Sequence, residues 1–420
     1  MVIKYKQENG FSVLLEPVAG VVSASVGLWV KTGSRDEALI QHGYAHFVEH
    51  MLFKGTENFS AKEIAQEVDR VGGQHNAATN REYTCYYINI VSEYLELAIK
   101  ILADMFYNSV FAVSEIEKEK NVVIEEIRMS EDSPDEFVHD LFLEKMLADH
   151  PLSHSILGSI ENIQNTKRED LFKFYKDNYT NDNVLLAVAG NFDIERVKDF
   201  IALYFSKKQS QLVSLEKFRG QVLKKDNNFH INKKLEQVHF CLGTEGFKRN
   251  DKYRWTLYVL NTILGGSMSS RLFQNIRERE GLCYSIYSFH SSFIDNGIFG
   301  IYCATSPDNF KKAVDLILRE CRTILNNKIT SSELEDAKRF IKGNFALSIE
   351  SVEVKMVQLA KNELFFGKNY DFYEIVKMIE NVSLENFSEI VEFLFQNKRF
   401  SLISVGNIKE IDINDFNLKI

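Results

Sequence analysis

The chain of 420 residues is long enough for two hydrophobic cores, so we expect two domains of similar size. Apolar residues make up 45% of the sequence and charged residues 26%, a balance that excludes a disordered chain. The formal net charge of −9, with no clustered basic face, argues against a nucleic-acid partner.

The N-terminal segment, MVIKYKQENGFSVLLEP, lacks the apolar core of a signal peptide and the Arg- and Ser-rich pattern of an organellar presequence. The apolar stretch at 21–30 alternates like a strand, and no run reaches the roughly eighteen residues needed to span a bilayer. The five cysteines are dispersed and show no CxxC spacing, which predicts reduced thiols. We therefore expect a cytoplasmic protein with no membrane partner.

The segment HGYAHFVEHMLFKGT at 42–56 places His46, Glu49 and His50 in one short apolar run. On a helix, two histidines four residues apart point within about 40° of each other, so both can reach one metal ion. Zinc suits imidazole and carboxylate ligands, and a catalytic zinc takes three of them and a water. The alternative is a pair of core histidines beside a solvated glutamate, because this HxxEH spacing arises by chance in roughly one such sequence in thirty.

A third ligand is available on the predicted helix SEIEKEKNVVIEEIRMSEDS at 114–133. Glu119 and Glu126 fall on one helical face together with two valines. Carboxylates on an apolar stripe are costly to bury unpaired, and a divalent cation removes that cost. A generic acidic surface helix, the alternative, accounts for Glu117 and Glu125 but poorly for Glu119 and Glu126.

The second half of the chain repeats the first. Apolar strands run into Gly190-Asn191 and into Gly406-Asn407, and 114–127 resembles 332–345 at nearly the same offset. Each half mixes strand-like and helical stretches. We therefore predict an α+β fold with two homologous sandwich-like domains in tandem, each a mixed sheet with helices packed on it. The predicted boundaries are 1–207 for the zinc-binding domain, 208–228 for a polar linker and 229–420 for a metal-free domain.

With these motifs, the sequence resembles the pitrilysin-type inverzincin zinc metallopeptidases, which carry the inverted HxxEH signature. Its chain length is closest to that of the subfamily that comprises the mitochondrial-processing-peptidase-like and bacterial dimeric enzymes. The resemblance covers nearly the whole chain, including 72–88, 150–163 and 265–280. The family spacing selects Glu126 as the third ligand and implies that Glu119 is an assisting carboxylate.

The resemblance implies an endopeptidase with one Zn²⁺ per chain, which cleaves short or unfolded peptides held as an extended strand in an enclosed chamber. Glu49 would take the proton of the attacking water and later pass it to the leaving amine. Asn76 and Ala77 would belong to an edge strand onto which the substrate adds. From the residues alone, NAATN at 76–80 is an ordinary strand start, and His75 is predicted not to be a ligand.

The second half lacks the metal residues. LYVLN at 257–261 stands where the first half has HFVEH, and Asn344 stands opposite Glu126, so this half is predicted to bind no zinc. The resemblance implies that Arg277 and Tyr284 hold the substrate backbone. Without it, Arg277 is typical of a surface charge and Tyr284 of a core aromatic.

Two other function classes compete with an active peptidase. One is a non-catalytic recognition or scaffold subunit of a heterodimeric processing-peptidase-like complex, and the other is a metal-storage protein. The complete HxxEH set, with Arg277 and Tyr284, favours an active enzyme that forms a homodimer, whereas metal storage gives no reason for Glu49. The natural peptide substrate is not encoded in any motif.

Overall fold

The computed structural model describes residues 2–207, 217, 220, 228–408 and 412–420, so most of the predicted linker at 208–228 lies outside the described residues. The strands are β1 (Ile3–Lys6), β2 (Ser12–Pro17), β3 (Ser23–Val30), β4 (Gln74–Thr79), β5 (Thr84–Val91), β6 (Val184–Gly190), β7 (Asn228–Asn232), β8 (Val238–Glu245), β9 (Cys283–Ser292), β10 (Gly297–Thr305) and β11 (Ser401–Gly406).

The α-helices are α1 (Tyr44–Leu52), α2 (Ala61–Asp69), α3 (Leu95–Asn108), α4 (Val113–Asp132), α5 (Pro134–Met146), α6 (Ile160–Asn165), α7 (Arg168–Asn178), α8 (Ile194–Tyr204), α9 (Arg254–Leu264), α10 (Phe310–Asn327), α11 (Ser331–Ser348), α12 (Val352–Phe366), α13 (Phe372–Glu380) and α14 (Leu384–Phe395). A π-helix spans Phe273–Arg279. Short 3₁₀ turns occur at Ser34–Asp36, Leu39–Gln41, Ser92–Tyr94, Pro151–Ser153, Asn181–Asn183, Pro307–Asn309 and Ile413–Asp415.

Two sheets with matching topology confirm the predicted α+β duplication. The first sheet has the strand order β1-β2-β6-β3-β5-β4, and the second has β7-β11-β8-β10-β9. In the first sheet only β2 and β6 pair in parallel, and in the second only β7 and β11 do. Apart from the extra strand β1, the sheets therefore correspond strand for strand, with β4 and β9 as equivalent edge strands.

The repeated Gly-Asn pair marks the same structural position in both halves. Gly190 ends β6 with φ +142°, and Gly406 ends β11 with φ +148°. A Cβ atom at Gly190 would lie 2.4 Å from Ala24 Cα, and one at Gly406 would lie 2.8 Å from Val238 Cα. Only glycine satisfies both the positive φ and the close approach of the neighbouring strand, which explains why this part of the repeat is visible in the sequence.

The described chain divides into two compact units. Unit 1 comprises Met1–Met129, His154–Phe218 and Ser348–Asn369, and unit 2 comprises Ser130–Ser153, Arg219–Leu347 and Tyr370–Ile420. This division departs from the predicted boundaries in two segments. Helix α5 belongs to unit 2 and packs on β8 and β11, and helix α12 belongs to unit 1 and packs on β2, β3 and β6.

Burial on both faces of each sheet explains this exchange of helices. Along β6, Leu186 and Val188 face one core cluster, whereas Leu185 and Ala187 face the cluster that contains Met356 of α12. Strands that are apolar on both faces need a helix layer on each side. In each unit the helix that covers the second face comes from the other half of the sequence, so contiguous boundaries could not describe the units.

Across the described parts of the chain, we find no helix that combines the length and apolar composition needed to cross a membrane.

Candidate metal centre

Helix α1 carries the HxxEH motif in unit 1, as the spacing predicted. Phe47, Val48 and Met51 are completely buried in the core of this unit and fix the helix against the sheet. The side of the helix that carries His46, Glu49 and His50 is less deeply buried. The apolar periodicity of α1 therefore anchors the helix and leaves the polar residues at the border of the core.

Three ligand atoms converge at this border. His46 Nε2 and His50 Nε2 lie 3.1 Å apart, and Glu126 Oε2 lies 3.6 Å from the first nitrogen and 3.4 Å from the second. Tetrahedral zinc with bonds of about 2.0–2.1 Å would hold its ligand atoms about 3.3–3.4 Å apart. No other trio of His, Cys, Asp or Glu within the described ranges converges in this way. The donor set and its spacing fit a zinc ion.

The protonation of the two histidines suits a metal ligand. Burial, reinforced by the neighbouring His50, lowers the pKa of His46 to about 3, so its imidazole is neutral. Burial would also lower the pKa of His50, but the hydrogen bond to Glu119 and the charges of nearby carboxylates raise it. Two neutral rings that direct their Nε2 atoms at one point repel each other unless a proton or a cation lies between them. A divalent cation resolves this conflict.

Glu119 is held between His50 and Lys54. Glu119 Oε1 lies 2.9 Å from His50 Nδ1, and Glu119 Oε2 lies 2.7 Å from the ammonium group of Lys54. Although burial raises the pKa of Glu119, these two hydrogen bonds outweigh it and the pKa is lowered. An ionised Glu119 accepts the Nδ1 proton of His50, which leaves the Nε2 lone pair for a metal. Lys54 was not identified from the sequence, where it is one of many lysines.

Glu49 projects from α1 towards strand β4. The Thr79 hydroxyl donates a hydrogen bond to Glu49 Oε2. Burial raises the pKa of Glu49, and the bond from Thr79 only partly offsets this effect. A carboxylate with a raised pKa is a better proton acceptor, and Thr79 fixes its position at the end of the edge strand.

Among the described residues, strand β4 pairs only with β5, so it is the open edge of the first sheet. Asn76 is exposed, and its Oδ1 accepts a hydrogen bond of 2.8 Å from the backbone N–H of Ala77. That N–H therefore points away from β5, towards the open side of the strand. The ring of His75 packs on Phe53 at 5.6 Å, and His75 is not part of the ligand group.

Glu37 holds the N-terminus of α1 and was also missed by the sequence analysis. Its Oε2 accepts the backbone N–H of Gly43 at 2.9 Å, and its Oε1 accepts that of Ala45 at 2.6 Å. Burial raises the pKa of Glu37 well above its usual range, and the two backbone bonds oppose this shift. The sequence signal that could have identified Glu37 is an acidic residue shortly before a helix start, because such residues can accept hydrogen bonds from the free N–H groups of the first turn.

In unit 2, Arg277 and Tyr284 lie together. The guanidinium of Arg277 stands over the Tyr284 ring at 4.8 Å and over the Phe273 ring at 4.5 Å. Tyr284 is 78% exposed, so it is not the core aromatic that the sequence alone suggests.

The chain is similar to peptidases over almost its full length. Residues 12–160 match the family model described as insulinase (peptidase family M16), and residues 165–341 match the peptidase M16 inactive domain. An uncharacterized zinc protease of Bacillus subtilis, YmxG, is 41% identical over 408 residues, which is 96% of this chain and 98% of that protein. The chain belongs to the insulinase (M16) peptidase family. Family membership confirms the resemblance to pitrilysin-type peptidases.

A second relative agrees in length, and a solved structure agrees in fold. An uncharacterized zinc protease of Rickettsia felis is 36% identical over 410 residues, which is 96% of each chain. The crystal structure of a protease from Helicobacter pylori aligns with a TM-score of 0.89 at 21% identity, over 97% of this chain and 99% of that one. The likeness to that structure supports the two-domain α+β fold.

The contact between Lys54 and Glu119 yields a testable prediction. In Lys54→Met the stem remains but the ammonium is lost, so Glu119 holds His50 less firmly and zinc affinity should fall about tenfold. A competition titration against a chelator measures this affinity. The matched control is Lys118→Met, which breaks only a surface pair with Glu115 and should leave affinity unchanged. Equal affinities for the two variants would contradict the role of Lys54.

Proposed function

We propose that this chain is a zinc-dependent endopeptidase that binds one zinc ion through His46, His50 and Glu126. The convergence of these three donor atoms beside the partly buried Glu49 carries the proposal. The relatives named as zinc proteases, which match nearly the whole chain, support it. Bound zinc would lower the pKa of a water ligand and polarise the peptide carbonyl.

Glu49 acts as the general base and then as the general acid. The Thr79 hydroxyl is bonded to Oε2, so we assign the proton from water to Oε1 of Glu49. Its raised pKa favours holding this proton until the peptide nitrogen accepts it. Glu119 does not take part in proton transfer, because it is engaged with His50 and Lys54; it orients the His50 ring.

The open edge of β4 binds the substrate as an additional strand. The outward N–H of Ala77, now capped by Asn76, becomes available when the Asn76 side chain rotates away. Backbone pairing along this strand would bring the peptide towards Thr79 and therefore towards Glu49. Recognition through backbone groups tolerates many side chains, which suits an enzyme that cleaves short or unfolded peptides.

A non-catalytic recognition or scaffold subunit is the second candidate. The match of residues 165–341 to an inactive domain favours such a role for the second half, where LYVLN and Asn344 replace the metal residues. The first half retains all three potential ligands and Glu49, and this favours catalysis for the chain as a whole. Arg277 and Tyr284 would bind the substrate backbone.

The experiment that tests the proposal is digestion of a mixed peptide library by the purified protein, with and without a chelator. We expect cleavage that stops on chelation and returns with added zinc, with cut sites mapped by mass spectrometry. Cleavage that persists in the chelator would refute the zinc mechanism. No cleavage by the zinc-loaded protein would favour the subunit role.

We further propose that the protein forms a homodimer in which Arg277 and Tyr284 serve the zinc site of the other copy. The test mixes the variants Glu49→Gln and Arg277→Ala under conditions that exchange subunits. Each mixed dimer would contain one complete site, so random exchange should restore roughly a quarter of wild-type activity. A mixture that exchanges subunits and stays inactive would contradict sharing of sites, while the zinc ligands would be unaffected by that result.

A further inference from the structure

Two cysteines of unit 2 lie on neighbouring strands beside an irregularity in pairing. Along β9 and β10, Ser285 pairs with Ala304, but the next pair is Cys283 with Thr305. Tyr284 therefore has no partner on β10 and forms a β-bulge. The bulge turns the Tyr284 side chain outwards, which accounts for its exposure of 78%.

The bulge also decides which face of the sheet Cys283 occupies. Cys303 pairs with Ile286, and both are buried in the main core cluster of unit 2. In a regular strand Cys283 would face the opposite side from Ile286, because side chains alternate. The extra residue reverses this alternation, and Cys283 packs against the same cluster as Cys303. The two thiols are close enough to affect each other's ionisation.

The two thiols differ in reactivity. The neighbouring Cys303 thiol lowers the pKa of Cys283 despite partial burial, and the Arg277 cation lowers it further. Complete burial raises the pKa of Cys303 well above its usual range. Burial also raises the pKa values of the remaining cysteines, Cys85, Cys241 and Cys321. Among the five cysteines, only Cys283 combines partial exposure with a stabilised thiolate.

We propose that Cys283 and Cys303 form an oxidation site, at which a peroxide converts the two thiols into a disulfide bond. The Cys283 thiolate attacks one peroxide oxygen, which breaks the O–O bond, leaves a sulfenic acid on Cys283 and releases hydroxide. The Cys303 sulfur then attacks the Cys283 sulfur, the S–O bond breaks, and the departing hydroxide takes the Cys303 proton to become water. Two thiols lose two electrons in total, and the peroxide gains them.

The disulfide would restrict the motion of Tyr284, the residue at the β-bulge. Cys283 is adjacent to Tyr284, whose ring lies against Arg277. A covalent bond to the buried Cys303 fixes the strand at the bulge and restricts the positions that Tyr284 can adopt. If Tyr284 and Arg277 bind peptide, which rests on the proposed function, oxidation should raise KM, and a thiol reductant should restore it.

Peptide mass spectrometry of the full-length protein tests for the disulfide and does not depend on activity. The protein is treated with hydrogen peroxide, its remaining thiols are alkylated under denaturing conditions, and it is digested without reduction. We expect one linked peptide pair joining Cys283 to Cys303, with Cys85, Cys241 and Cys321 alkylated. Absence of this pair, or the same yield for Cys283 linked to another cysteine, would overturn the proposal.

Two variants separate the steps. In Cys303→Ala, peroxide should leave Cys283 as a sulfenic acid that a cyclic 1,3-diketone probe traps, whereas Cys283→Ala should show no trapping at Cys303. Cys241→Ala is the matched control, because it removes an equally buried thiol and should still form the disulfide. An unchanged KM in a fully oxidised, active enzyme would refute the effect on Tyr284. If the protein has no peptidase activity, the proposed function fails, but the linked peptides should still form.

Discussion

Replacement of Glu49 by glutamine is expected to reduce turnover by about 10²- to 10⁴-fold, the usual contribution of a positioned general base. The amide preserves the size of the side chain and can still bond to Thr79, but it cannot accept a proton from water. Zinc content and peptide affinity should remain, so the variant should trap substrate. We would measure kcat, bound zinc and peptide affinity on the same preparation.

The folding control for Glu49→Gln follows from burial. Burial raises the pKa of Glu49, which means that the surroundings disfavour its charge, so a neutral amide should not destabilise the protein. The thermal midpoint in the presence of chelator should therefore stay at or above that of the wild type. A variant that is folded and retains more than about a tenth of wild-type turnover would exclude Glu49 as the base.

The second large effect is expected at the metal ligands. Wild-type protein should carry about one zinc ion per chain, and His46→Ala or Glu126→Gln should lose most of it, because a three-ligand site is reduced to two. Metal analysis after gel filtration measures the zinc content. A chelator should also lower the thermal midpoint of the wild type but not that of His46→Ala, since only a protein that binds zinc is stabilised by it.

The neighbouring Glu125 provides a matched control. It is exposed and paired with Arg128 at 2.5 Å, and it is not part of the converging ligand group. Glu125→Gln makes the same chemical change one residue away and should leave zinc content unchanged. Full zinc in Glu126→Gln, or equal loss in Glu125→Gln, would show that the ligand assignment is wrong.

Much of the candidate site was predictable because it is local. The four-residue spacing of His46 and His50 places both rings on one side of any helix, whatever the helix packs against. The acidic positions on α4 follow the same periodicity, which separated Glu119 and Glu126 from Glu117 and Glu125. Selection of Glu126 as the candidate ligand required the family resemblance, and the structure places its carboxylate beside both imidazoles.

The partners of these residues could not be predicted from spacing. Lys54 and Glu119 are 65 positions apart and meet only because α1 and α4 pack in the same core. The contact between Glu49 and Thr79 likewise requires that β4 lie next to α1. Such contacts depend on the order of strands in the sheet, which a single sequence does not specify.

The sequence by itself determined the duplicated α+β architecture, the helix with its histidine pair and the loss of metal residues in the second half. These features are set by side-chain periodicity and by backbone positions that only glycine can occupy. Tertiary structure alone decided that α5 and α12 are exchanged between the units, that β4 is an edge, and that the Tyr284 bulge turns Cys283 towards Cys303. The physical reason is that burial of both sheet faces and strand register depend on contacts between residues far apart in the chain.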